Sequence, residues 1–140
     1  MGRCVRSGLR YENGDGLRSR ILVVDDSSAV RRGFARAINE QSDFRVCGEA
    51  ANGQECLAKV LELRPDAVIL DISMPIMNGL DAARLLRELM PSLPVIICSY
   101  FDGPSLEQEA QTVGAKGIVS RAQPIEQLLA CLRSVIGGSL

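Results

Sequence analysis

The sequence predicts an α/β fold, a doubly wound parallel sheet with helices on both faces. Three observations carry this. Five short apolar runs alternate with five helical stretches along the chain. The first run, Ile21-Leu22-Val23-Val24, is apolar at every position, as a strand covered on both faces must be. Each connection is long enough to carry a crossover helix, so successive strands can lie parallel.

The elements follow in order. After the first strand, Asp25-Asp26-Ser27-Ser28 supplies a helix N-cap, and Val30, Phe34 and Ile38 recur on one face. Phe44 to Ala50 reads as the second strand, and Gly53 to Leu63 as a helix ended before Pro65. Ala67-Val68-Ile69-Leu70 is the third strand, stopping at Asp71. Leu80 to Met90 is helical and offers Leu85, Leu86 and Leu89 to a core. Pro94 to Cys98 is the fourth strand, closed by Ser99. Ser105 to Val113 is a polar helix ending at Gly114. Gly117-Ile118-Val119 is a short fifth strand, and Pro124 opens a last helix with Ile125, Leu128, Leu129 and Leu132 at helical spacing.

At 140 residues the chain is one domain in size and needs no disulfide or metal to hold a core. Hydrophobic residues make up 46% and charged residues 24%, with a net charge of −1, which argues against a nucleic-acid or lipid-coating role. Residues 1–20 carry five arginines against two acids and little apolar periodicity, and are expected to form a disordered basic extension; the domain is expected over 21–138. There is no histidine, which excludes a Ser-His triad and His-bound zinc. The two lysines, Lys59 and Lys116, follow no phosphate-cradling glycine loop. Cys4, Cys47, Cys56, Cys98 and Cys131 are scattered and read as reduced thiols of a cytoplasmic chain. No apolar run approaches membrane-spanning length.

Ligands of doubly wound sheets bind beyond the carboxyl ends of the strands. Asp25 and Asp26 follow the first strand and Asp71 the third. If strands one and three are central neighbours, these acids converge. Packed anions repel unless a cation joins them, and a hard divalent ion, Mg²⁺ above all, suits their oxygens. Ser99 and Arg121 end strands four and five on the same rim; a hydroxyl and a guanidinium facing acids and a metal suit a tetrahedral anion. A single such Asp is commonly a helix cap, and Asp26 or Ser27 can do that job.

These residues resemble the receiver domain of two-component response regulators. The resemblance runs from Ile21 to about Val135, carried by VVDDS at 23–27, ILDISMPIMNG at 69–79, the strand ending in Ser99 and GAKG at 114–117. It implies a flavodoxin-like sheet in the order 2-1-3-4-5. It implies that Asp71 accepts a phosphoryl group from a histidine kinase phosphohistidine. Asp26 and Asp71 would bind Mg²⁺ directly, Asp25 through water, with the Ser73 backbone carbonyl beside them. Ser99 would be the switch hydroxyl, and signalling would run through the face of the fourth helix, fifth strand and fifth helix.

Three residues depart from the family pattern. Arg121 replaces the lysine at the end of strand five, and is expected still to bind the phosphoryl group with altered rates; Lys116 lies at the wrong end of that strand. Ile118 replaces the switch aromatic, so the signal is expected to run through Tyr100 and Phe101. Tyr100 stands where a small residue is usual and is expected to shield the acyl phosphate from water. The implied partners are a histidine kinase or phosphotransfer protein and a downstream effector. No DNA-binding segment follows before residue 140, so a stand-alone receiver is expected, and the polar fourth helix permits a phosphorylation-dependent homodimer. The chain would catalyse only its own phosphorylation and slow dephosphorylation.

Rival readings are a degenerate receiver that docks without phosphorylation, a flavodoxin-like electron carrier and a dehalogenase-type phosphatase. Asp25 and Asp26 would repel a flavin phosphate. The phosphatase needs a second Asp where Ser73 stands.

Overall fold

The computed structural model describes residues 18–100 and 103–137. The strands are β1 (Ser19–Val24), β2 (Phe44–Ala50), β3 (Ala67–Asp71), β4 (Val95–Ser99) and β5 (Gly117–Ser120). The helices are α1 (Ser28–Asn39), α2 (Gly53–Leu63), α3 (Gly79–Leu89), α4 (Pro104–Thr112) and α5 (Ile125–Gly137). The strands form one parallel sheet in the order β2-β1-β3-β4-β5, as the resemblance implies. β1 and β3 are neighbours, with Val24 opposite Leu70, so the segments that follow them leave the sheet side by side.

Strand alternation divides the core in two. Leu22, Val24, Val68, Leu70, Val95 and Ile97 pack with residues of α2, α3 and α4 on one face. Ile21, Val23, Ala67, Ile69, Ile96, Cys98 and Val119 pack with residues of α1 and α5 on the other. The starts of α1, α2 and α3 are fixed by side-chain caps. Ser27 accepts from the Val30 amide, Asn52 from Glu55 and Asn78 from Asp81. α2 ends at Arg64, whose left-handed φ of 51° turns the chain into Pro65.

Two expectations need correction. β1 begins at Ser19, so the last residues of the presumed extension are part of the fold. Arg18 donates to the carbonyls of Phe44 and Asn39, and the Arg20 amide donates to Asp66. These polar residues hide the strand's start from an apolar pattern. The remainder of that extension, residues 1–17, lies outside the described residues. Leu89 is 53% exposed and is not a core residue. α3 stops there, and the next residue, Met90, leaves helical geometry and packs on the core instead.

Candidate acidic site at the carboxyl edge of the sheet

Strand phase decides which side chains meet at this edge. Asp25 continues the Ile21-Val23 series, Asp71 the Ala67-Ile69 series and Arg121 the series of Val119. All three therefore belong to the α1/α5 side. Ser99 continues the Val95-Ile97 series, on the side of α2, α3 and α4, and Ile118 packs on that same cluster. The edge thus carries the charged groups on one side and the hydroxyl of Ser99, paired with Ser120 of β5, on the other.

Carboxylate oxygens of Asp25, Asp26 and Asp71 lie within 4.8 Å of one another. Asp25 and Asp71 are buried and Asp26 is exposed. Asp25 accepts from the Ser27 amide at 2.9 Å, and its own carbonyl takes a hydrogen bond from Arg31 at 2.6 Å. Arg31 is in turn braced by Glu49 at 3.0 Å. Asp71 is only 4% exposed. Burial pushes its carboxyl up to about 6, and the Asp26 charge adds to this, while the amides of Ile72 and Ser73 pull it back.

The cation facing these acids is Arg121. Its Nη2 contacts Asp25 Oδ2, and Nη1 stands 3.8 Å from Asp71 Oδ1. Burial draws the guanidinium below its ordinary value, and Nε is buried without a hydrogen-bond partner among the described residues. Its ζ-carbon lies 4.8 Å from the centre of the Tyr100 ring. Tyr100 is 64% exposed, so it is not a core aromatic. The contact between these two residues is not visible in the sequence; they meet because β4 and β5 are adjacent and Ser99 pairs with Ser120. Ser99 is buried, and its carbonyl accepts from the Arg121 amide at 2.8 Å. Lys116 is exposed at the start of β5, the far end from Arg121. Phe101 lies outside the described residues.

The loop after Asp71 is held at both ends. Gly79 donates to the Ile72 carbonyl at 2.9 Å, and the Met77 carbonyl accepts from Gly53 at the start of α2 at 3.0 Å. Ser73 is exposed in this loop. Ile76 has a left-handed φ of 69° and is 78% exposed. A β-branched residue is strained there and recovers little by burial. Ile76→Asn is expected to raise stability by about 1 kcal/mol, read as a shift in the urea midpoint.

The four described cysteines are free thiols. Burial pushes Cys56 and Cys98 up to about 12, which makes them inert packing groups. No described helix is long and apolar enough to cross a membrane.

A family model for the response regulator receiver domain matches residues 21–133. The oxygen regulatory protein NreC of Staphylococcus epidermidis is 39% identical over 120 residues, which are 85% of this chain and 55% of that protein. The chain spans about half the length of the curated relatives it matches. Among solved structures, a LuxR-family two-component response regulator from Aurantimonas superposes with a TM-score of 0.83 at 28% identity, covering 86% of each chain. The response regulator domain of Thermotoga maritima CheB gives 0.80 at 31% identity, covering 86% of this chain and 97% of that one.

Proposed function

The chain belongs to the response regulator receiver domain family, whose members serve phosphorelay signalling, and from that premise we propose that Asp71 accepts a phosphoryl group from a histidine kinase phosphohistidine. The observation that carries this is the approach of three carboxylates to within 4.8 Å at one sheet edge. Their hard oxygen donors fit a small divalent cation. Asp25, Asp26, Asp71 and the Ser73 carbonyl would hold Mg²⁺, which when bound would neutralise charge on the transferring group.

The chain's own residues do the rest. An Asp71 oxygen forms the new bond to phosphorus while the phosphorus–nitrogen bond of the donor breaks and its electron pair leaves with the imidazole. No base is needed, because the nucleophile is the ionised carboxylate. Arg121, with Nη1 3.8 Å from Asp71 Oδ1, would donate to a phosphoryl oxygen, and its unpartnered Nε would be a spare donor for it. Ser99, on the α4 side of the sheet, would be drawn to another oxygen and carry the end of β4 with it. Output would then pass to an effector protein through α4, β5 and α5, with Tyr100 and Ile118 on the route. Exposed Tyr100, lying over Arg121, would also slow water's approach to the acyl phosphate.

The test is transfer from a phosphorylated histidine kinase to the full chain. Label is expected on the wild type with Mg²⁺, and none is expected on Asp71→Asn or in excess EDTA. Label retained by Asp71→Asn would overturn the assignment. A wild type that takes no label from any donor would favour docking without phosphorylation.

A further inference from the structure

Arg121 and Tyr100 are separate departures from the family pattern in the sequence, and a single unit in the structure. The guanidinium has the Tyr100 ring 4.8 Å from its ζ-carbon and the carboxylates of Asp25 and Asp71 at its nitrogens. A planar cation is attracted by both an aromatic face and an anion, and a lysine ammonium lacks the plane to stack. The ring, 64% exposed, is not held there by core burial. Its packing partner at the site is the cation.

Resting on the reading of the acids as a divalent-cation site, we propose that Tyr100 is a positioning residue that holds Arg121 against Asp25 as a tethered counter-cation, so that the stacked pair opposes metal entry. Asp25 cannot give its full charge to a metal while Arg121 contacts it. Arg121 must therefore loosen its hold on Asp25 as the site fills. Tyr100, stacked on it, feels that movement at the point where β4 runs into the segment leading to α4. Site occupancy is thus coupled to a residue outside the acidic cluster. The arrangement also lessens the repulsion among the carboxylates before a metal arrives.

The experiment is calorimetric titration of the full chain with MgCl₂, comparing wild type, Tyr100→Phe, Tyr100→Ala, Arg121→Gln and the Tyr100→Ala/Arg121→Gln double variant. Tyr100→Ala is expected to bind Mg²⁺ about two- to fivefold more tightly than wild type, the range a partly exposed cation–π contact supports. Tyr100→Phe keeps the ring and should match wild type. Arg121→Gln should bind about tenfold more tightly, and adding Tyr100→Ala to it should change nothing further. That last comparison separates a role acting through Arg121 from a general effect on the fold. Tyr100→Ala binding equally or less tightly than wild type, while wild type still binds Mg²⁺ saturably, would overturn the positioning role and leave the metal-site reading standing. Absence of saturable binding in both wild type and Arg121→Gln would overturn that reading, and the positioning role with it.

Discussion

Asp71→Asn is expected to melt at a higher temperature than the wild type when both are free of metal at pH 7.5. Burial holds the Asp71 carboxyl at about 6, above its ordinary 3.8. The folded state thus binds the proton more tightly than the unfolded chain, and ionisation works against folding. Below about pH 4 both states are protonated and Asp71 costs nothing. Stability then falls as pH rises through the window up to about 6, and the full penalty is present above it. Two units correspond to about 3 kcal/mol. Asparagine removes the charge and keeps the shape, so a gain of about 2 kcal/mol, or on the order of 5 °C or more, is the expected result. Differential scanning calorimetry at pH 7.5 and pH 4 checks it. The gap should narrow at the lower pH, and saturating MgCl₂ should favour the wild type by mass action. Equal melting temperatures at pH 7.5 without metal would contradict the penalty.

Gly79→Ala is the substitution expected to damage the protein most. A β-carbon at residue 79 would lie 2.0 Å from the Asp71 carbonyl oxygen and 2.9 Å from the Ile72 α-carbon. Both are backbone atoms, so no side-chain rotation relieves the clash. Either α3 moves away from β3 or the end of β3 moves, and the Gly79 to Ile72 hydrogen bond is lost with it. A loss of about 3 kcal/mol is expected, measured by urea unfolding, together with at least about tenfold slower labelling of Asp71. Gly33→Ala is the natural control. It lies within α1 with nothing within 4 Å of an added β-carbon, and should stabilise by about 0.5–1 kcal/mol.

Much of this architecture is legible in the sequence, for identifiable reasons. β2 and α2 span the predicted residues because Phe44–Ala50 and Gly53–Leu63 are bounded by residues that act locally, Asn52 as a cap and Pro65 as a stop. The acidic site is legible because strand ends define it: once β1 and β3 are recognised, Asp25, Asp26 and Asp71 are placed. What escapes depends on long-range contact. Ser19 and Arg20 join β1 through Asp43, Asp66 and the end of α2, which no local pattern encodes. Leu89 has the right spacing for the core, but its helix ends at it. The Tyr100–Arg121 contact joins the ends of two strands, and the positive φ of Ile76 belongs to a loop whose neighbours, Gly53 and Gly79, fix its path.

The alternation that sorts Asp25, Asp71 and Arg121 to one side of the sheet also limits how this chain can vary in length. Gain or loss of one residue inside β1, β3 or β5 would rotate the terminal charge into the opposite layer, among aliphatic side chains of α2, α3 and α4. A change of two would restore its direction and only displace it along the strand. Insertions and deletions are therefore tolerable between the strands, while within them the parity of the count is constrained by a chemistry located just past their last residues.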